Sequence, residues 1–408
     1  MTPKPNSFGP LSGIRILEIG HYIAAPFCTR ILGDLGAEII KIEPPAGDPA
    51  RDWGAKQNDR SLWWSVHARN KRSVAIDIKS PEGLEAVQKV IASCDALVEN
   101  LRPGALARLG LSYEVLETLR PGLVVAHISG YGQNGPERDR AAFGVIGEAI
   151  GGLRYLTDHP QGTSDLPPVR VGVSLGDSVA GLYAAIGVLA QLLGRAENKS
   201  ASCHVVDVAL TESVLSLMED MLPAYGALGQ IKKPTGARIS TAAPTSAYPT
   251  RDGRWLLIAA NSDLLFGRLM ALIGRDDFAS DPELSTNSGR VAQADRLDAA
   301  IAEWTRQHDA NDAARIVAEA DIPSTLIYTA AEIVADPQFQ ARGMIRKVTD
   351  AEQGTVLHPG IVPHLPDCPG AIRFAGQNLG QDTDDVLREF AHMTAQEIGR
   401  LRSEKVIT

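Results

Sequence analysis

Asp177 stands where two unlike patterns meet. Val169, Val171 and Val173 alternate with smaller or polar residues, which predicts a strand, and Ser178 to Leu193 carries apolar residues at helical spacing. A carboxylate that follows Gly176 at the first turn of a helix meets open backbone N–H groups and the positive end of the helix dipole. Both favour its ionised form. Such a residue is either an N-cap or a nucleophilic carboxylate, and its position alone does not choose between them.

Other chemistries find little support in the residue pattern. Cys28, Cys94, Cys203 and Cys368 are widely separated, with no C-x-x-C and no Cys/His cluster at ligand spacing, so reduced, mostly buried thiols and no metal are expected. The turn Gly20-His21-Tyr22-Ile23-Ala24-Ala25-Pro26 lacks the G-x-G-x-x-G that lets a backbone approach a pyrophosphate, which argues against a bound dinucleotide redox cofactor. A formal charge of −9 and the absence of a basic run argue against nucleic acid as a partner. The start, MTPKPNSFGPLSG, has no apolar signal core, and no apolar run reaches the roughly 18 residues of a membrane span. A cytoplasmic protein with no membrane association is expected.

The elements that must hold Asp177 are legible as alternation. RILEI (15–19), a helix, then EIIKIE (38–43) read as a parallel β-α-β unit. SVAIDI (73–78), a helix from Pro81 to Ser93, ALVEN (96–100), two short helices around 103–119 and LVVAHIS (123–129) continue it, and CHVVDVAL (203–210) adds another apolar segment. The fold class expected is α/β, a Rossmann-like doubly wound large domain plus a smaller α+β domain. With 408 residues exceeding the usual size of one core, more than one domain is required. Residues 1–210 with 330–408 are assigned to the large domain. A helical pattern from about Thr211 to Leu228 and the Gly-, Pro-, Ser- and Thr-rich stretch after it make 211–245 a linker helix and loop. The small domain, 246–329, opens on a hairpin with Asp252-Gly253 at its turn.

Seven motifs in order carry a family resemblance: PLSGIRILEIGHYIAAP (10–26), LGDLGAEIIKIEPPAGD (32–48), RNKRSVAIDIKSPEG (69–83), VENLRPGALARLGL (98–111), ISGYGQNGP (128–136), GDSVAGLYA (176–184) and LGQDTDDVL (379–387). The chain resembles the class III coenzyme A transferases, the family of formyl-CoA:oxalate transferase, carnitine CoA-transferase and the α-methylacyl-CoA racemases. The resemblance implies that Asp177 attacks an acyl-CoA thioester and carries CoA as an aspartyl thioester to an acceptor acid. It implies acyl-CoA as substrate, no metal, and a homodimer whose chains are interlocked.

The same resemblance assigns the remaining site residues. Lys71, Arg72, Arg102, Arg108 and Arg138 (or Arg140) match positions that meet the CoA phosphates, although a solvated helix face is the plain alternative for any one arginine. His21, Ala24 and Asn100 match positions lining the thiol end or the adenine side; His21 could instead be a buried histidine bonded to a carbonyl. Ile23 stands where formyl-CoA transferases carry a glutamine, which implies a different acyl pocket. Trp53 matches an aromatic beside the acceptor, and Glu148 falls where such transferases place Gln or Glu facing the nucleophile. There it would be a proton donor if the neighbouring carboxylate raised its pKa. No tetraglycine run is present; the matching region is Gly229–Ala243. The acceptor expected is a small dicarboxylic acid, with Arg51 or Arg72 supplying charge, because no aromatic cluster near these motifs suggests a cage for carnitine.

Two rivals remain. A racemase of the same fold would need a His and an acid where this chain has Ala142-Phe143-Gly144, so two-base proton exchange lacks half its groups. A non-catalytic CoA-binding protein would keep the fold and bind CoA without exchange.

Overall fold

Six apolar runs become one parallel sheet. The computed structural model describes residues 8–197 and 204–408, so the expectations resting on residues 1–7 and on Cys203 lie outside the described residues. Strands β1 (Arg15–Ile19), β2 (Glu38–Glu43), β3 (Lys71–Ala75), β4 (Ala96–Glu99), β5 (Val124–Ser129) and β6 (His204–Ala209) pair in the order β3-β2-β1-β4-β5-β6, all parallel. The winding reverses between β1 and β4, which leaves a crevice beyond their carboxyl ends. β3 starts and stops earlier than the sequence suggests because Ile76 leaves the ladder to bridge Ile407.

Both faces of the sheet are covered, as a parallel sheet requires. Leu17, Ile40, Val74, Leu97 and Val125 face helix α2 (Pro81–Ile91), while Ile16, Ile39, Ala96, Val124 and Ala126 face helix α1 (Ala24–Asp34) and a longer helix, Leu175–Glu197. α2 is started by Ser80, whose hydroxyl accepts from the Gly83 N–H at 3.0 Å, with Pro81 in its first turn. The short helices α3 (Tyr113–Leu119) and α4 (Gly144–Ile150) precede the long helix, which is α5.

Two expectations need correction here. Val169–Val173 forms no strand: Val169 and Val173 are exposed, and the preceding Pro167 and Pro168 cannot donate to a ladder. Over Leu175–Arg195, α5 is long and apolar enough to cross a membrane by length and composition. Its Ala180, Ala184 and Val188 nevertheless pack fully buried in the core, and its apolar excess lies on the opposite face at Leu182, Ile186 and Leu193. Of the cysteines, Cys28 and Cys94 are buried and Cys368 is exposed.

By contacts the chain divides into two units. The larger runs through Arg154 and includes Val171–Pro223 and Gln340–Thr408; the second is Tyr155–Arg170 with Ala224–Phe339. The stretch expected as one linker is therefore shared: the helix Leu210–Leu215 belongs to the larger unit, and the left-handed Glu219 separates it from the next helix, Met221–Leu228. In the second unit β7 (Thr245–Pro249), β8 (Trp255–Ala259) and β9 (Ser324–Leu326) form an antiparallel sheet in the order β9-β8-β7. Gly253, with φ 78°, makes the expected turn. Helices Asp263–Leu272, Ala294–Thr305 and Ala310–Glu319 close its core around Leu256, Leu269, Leu297 and Val317.

A buried ionic network underlies the larger unit. Glu18 and Lys41 are cross-strand partners, and Lys41 Nζ donates to Glu18 Oε1 at 2.6 Å and to the Gly20 carbonyl at 2.7 Å. Lys41 also meets Asp48 at 2.9 Å, and Lys71 Nζ donates to Glu18 Oε2 at 2.8 Å and to the Pro26 carbonyl at 2.7 Å. Burial works to raise the Glu18 carboxyl, but the two ammonium groups outweigh it and hold it below its ordinary range. Lys71 is thus fully committed inside the sheet and does not face a ligand phosphate.

Two imidazoles are held neutral nearby. His67, stacked on Trp63 at 4.5 Å, is pushed down to about 3 by burial and by Arg30, and His358 is pushed down to about 4 by burial, Arg69 and Arg30. In the unfolded chain each takes a proton near pH 6.5, so between there and pH 3 to 4 the unfolded state binds more protons and stability falls as pH falls. The melting temperature is expected to drop steadily from pH 6.5 to 4, each histidine adding a slope of at most about 1.4 kcal/mol per pH unit. His67→Phe, which keeps a ring on Trp63, should flatten that profile; superimposable profiles for variant and wild type would refute a neutral His67.

Candidate active site

The crevice between β1 and β4 holds a cavity of about 210 Å³. Its walls come from the segments after β1 (His21, Tyr22, Ile23, Ala24), after β4 (Asn100 to Pro103) and after β5 (Ile128 to Gly130), closed by Arg140 to Phe143, Leu210 and Asp177. A larger cavity, about 610 Å³, lies within the second unit around Arg238, which is ion-paired to Asp295 and Asp298. Thr235 to Arg238 of the Gly229–Ala243 stretch line it, but none of the residues matched to catalysis or to CoA does, so the chemistry is assigned to the smaller one.

Asp177 sits in the first turn of α5, two residues inside its start at Leu175, and so is not the N-cap. Two close approaches fix it. One turn later, Gly181 packs so tightly on α1 that a Cβ there would lie 2.7 Å from the Ala24 carbonyl, which aims Asp177 past the N-terminal end of α1. On the other side α4 presses Gly144 against the carboxylate: a Cβ on Gly144 would stand 2.0 Å from Asp177 Oδ2. Glu148, fully buried one turn along α4, accepts from the Gly176 N–H at 3.3 Å and lies 3.8 Å from Arg154. It therefore touches the backbone just before Asp177 and is not part of the cavity wall.

The opposite wall is tied across the switch point by Asn100. The His21 N–H donates to Asn100 Oδ1 and Asn100 Nδ2 donates to the His21 carbonyl, both at 2.9 Å. The Tyr22 N–H reaches Asp48 Oδ1 at 3.2 Å, and this bond, with Lys41 on the Gly20 carbonyl, holds Tyr22 in the left-handed region at φ 64°. α1 then begins without a side-chain cap, so its first backbone N–H groups have no side-chain acceptor from Ile23, and Ala24 in that first turn lines the cavity. His21 Nδ1 is buried with no hydrogen-bond partner among the described residues, and burial followed by the charge of Lys41 holds the imidazole pKa below its ordinary value. His21 and the uncapped start of α1 share the cavity with Asp177, an environment suited to developing negative charge.

The other residues singled out from sequence divide by location. Arg102 lines the cavity, and Arg108 and Arg138 converge on Gly104 beside it, with guanidinium nitrogens 3.1 and 4.0 Å from a Cβ built there. Arg140, not Arg138, reaches the cavity wall. Arg72 is drawn away by Glu38 and Glu389, at 2.9 and 2.8 Å, and Arg51 is locked on Glu43 at 2.7 Å, so neither supplies charge to the site. Trp53 is not in the wall but packs on Tyr22 at 5.0 Å. The expected absence of an aromatic cluster is corrected: Phe143, Tyr22, Trp53, Trp63 and His67 form a contiguous row of ring contacts. No local pattern reveals that row, because its members come from three separate segments.

Comparison with known proteins identifies the family. A family model described as CoA-transferase family III matches residues 11–383. Succinyl-CoA–D-citramalate CoA-transferase of Chloroflexus aurantiacus is 42% identical, covering 98% of each chain. The alpha subunit of succinyl-CoA–L-malate CoA-transferase of Chloroflexus aurantiacus is 37% identical over 98% of this chain and 92% of that one. Among solved structures, a CAIB/BAIF family protein from Brucella suis is similar with a TM-score of 0.83 and 31% identity, covering 94% of this chain and all of that one.

Proposed function

The chain belongs to CoA-transferase family III, an enzyme family acting on CoA thioesters, and from that premise we propose that it exchanges CoA between succinyl-CoA and a small 2-hydroxy dicarboxylic acid through an aspartyl-CoA thioester on Asp177. The observation that carries the reading is the Asp177 carboxylate, wedged against Gly144 at the switch-point cavity beside the open start of α1. Two relatives support the acceptor class, since D-citramalate and L-malate are both 2-hydroxy dicarboxylates that differ by one methyl group.

The proposed chemistry runs in four balanced steps. Asp177 attacks the thioester carbonyl of succinyl-CoA, forming a mixed anhydride and releasing CoA thiolate. The thiolate attacks the aspartyl carbonyl, breaking the anhydride C–O bond and releasing succinate. The acceptor carboxylate attacks the aspartyl-CoA carbonyl, giving a second anhydride and thiolate. Thiolate attack on the acceptor acyl carbon frees Asp177 and the new thioester. Each step exchanges one anion for another, so no net proton moves and Glu148 is not needed as a donor. Its bond to the Gly176 N–H suits it to holding the first turn of α5 instead. The amides of Ala24 and Ala25 and the neutral His21 would stabilise the tetrahedral oxyanions. Arg102, with Arg108 and Arg138, would meet CoA phosphates, and Arg140 the second carboxylate of the acceptor.

The test is to incubate enzyme and succinyl-CoA with malate, citramalate, glutarate, succinate and oxalate, and separately with acetate, butyrate and carnitine, reading new thioesters by mass. The best diacid is expected to exceed acetate in kcat/KM by at least about 100-fold, because a site built to bind the second carboxylate leaves polar groups unpaired with acetate. A monocarboxylate or carnitine outrunning every diacid would sink the acceptor class. CoA binding without any new thioester would favour the non-catalytic reading.

We also propose that the functional unit is an interlocked homodimer. Leu182, Ile186 and Leu193 of α5 and Ile146 and Ile150 of α4 leave apolar side chains exposed on the larger unit, the kind of surface a partner copy would cover. Sedimentation should find a dimer at nanomolar protein; a folded monomer there would argue against it.

A further inference from the structure

We propose that Glu99, His127 and Tyr113 form a positioning relay that sets the Asn100–Arg102 loop for the CoA moiety; the proposal rests on the CoA-transfer reading above. Glu99 and His127 are register partners at the carboxyl ends of β4 and β5. By the alternation of strand side chains they share the face of Leu97 and Val125, opposite the face that carries α1 and α5. Both are almost fully buried, at 2% and 4% exposure, and Asp177 lies across the sheet from them.

The hydrogen bonds run in one line. The Tyr113 hydroxyl meets His127 Nε2 at 2.7 Å, and His127 Nδ1 meets Glu99 Oε1 in a short contact. The other carboxylate oxygen, Oε2, accepts from the Leu101 N–H at 2.5 Å. A buried carboxylate is tolerated only while its oxygens are satisfied. Here the imidazole serves one oxygen, which leaves the second fixed in place for the Leu101 amide.

That amide lies at the root of the cavity wall. Asn100, one residue before it, holds both backbone groups of His21, and Arg102, one residue after it, lines the cavity. A Glu99 that lost His127 would keep one buried oxygen unsatisfied and turn to find a partner, and its grip on Leu101 would loosen. Asn100, His21 and Arg102 would then lose their common register. Asp177, positioned through Gly144 and Gly181, would not.

The experiment compares His127→Ala, Tyr113→Phe and Glu99→Gln with wild type by calorimetric titration with free CoA and by steady-state exchange. His127→Ala is expected to weaken CoA binding and to lower kcat/KM for succinyl-CoA by about tenfold, the size of losing one charged hydrogen bond. The kcat/KM for the acceptor acid should stay within about twofold, because CoA is already covalently held in that half-reaction. Tyr113→Phe should give a smaller change of the same kind, about two- to threefold, the value of one neutral hydrogen bond. Glu99→Gln should weaken CoA binding less than His127→Ala does, since an amide can still accept from Leu101 and donate to His127 but without the charge. Equal losses in both half-reactions, or CoA affinity unchanged in His127→Ala, would overturn the relay. If His127→Ala fails to fold, Tyr113→Phe decides by the same split. Wild type that bound no CoA would bring down the transferase reading and the relay with it, a result distinct from variants that bind as tightly as wild type.

Discussion

Asp177→Asn is expected to abolish CoA transfer, lowering kcat by about four orders of magnitude or more, while free CoA binds within about threefold of wild type. The size follows from the role: an amide of the same shape cannot form the anhydride, and among the described residues no other carboxylate lines the cavity. Wild-type enzyme treated with succinyl-CoA and then hydroxylamine should carry a hydroxamate on Asp177, visible by peptide mass, and the Asn variant should carry none. Retention of more than about 1% of exchange after deamidation is excluded would end the covalent mechanism, since such a loss is far below that of removing a nucleophile.

Gly144→Ala should be the most damaging change that alters no chemical group. The added Cβ would lie 2.0 Å from Asp177 Oδ2 and 2.5 Å from its Cγ, so the carboxylate must swing aside. Displacement of a reacting group by about 1 Å costs about 100-fold, and a loss of that size in kcat/KM for succinyl-CoA is expected with little change in melting temperature. Gly172→Ala is the control, because a Cβ there meets nothing within 4 Å. If Gly144→Ala kept activity within about threefold of wild type, the carboxylate would not be held where the structure has it.

The sheet was legible because buried parallel strands are short, nearly continuous apolar runs, and RILEI, EIIKIE, ALVEN and LVVAHIS each carry that signal without help from elsewhere. The valines at 169, 171 and 173 mimic a strand because alternation reports pattern and not partners, and no strand pairs with them. Lys71 shows the converse limit. Its neighbours Lys-Arg look like surface charge in a line of sequence, and only pairing with Glu18 two strands away turns it inward. A signal was present in Glu18 and Lys41, opposite charges in the middle of apolar strands, which a solvated reading cannot explain. The placement of Asn100 at the cavity follows from the end of β4 and that of Asp177 from the start of α5, and both are local. The aromatic row and the Glu99–His127 pair depend on register between strands or loops, which a single chain pattern does not encode.

The end of the chain shapes how this protein comes to be made. Val386, Leu387, Phe390, Leu401 and Ile407 lie in the same core as Leu17, Ile40 and Val74, the Asp77 N–H donates to the Val406 carbonyl, and Arg69 donates to the Pro359 carbonyl. The first strands synthesised therefore wait, with part of one apolar face uncovered, until residues 386–407 have been made. Contacts of such separation slow folding through the entropy of closing a long loop, and exposed apolar surface in the interval invites aggregation. Transient protection of that face is thus favoured by this topology, and truncation before Val386 is expected to leave it open.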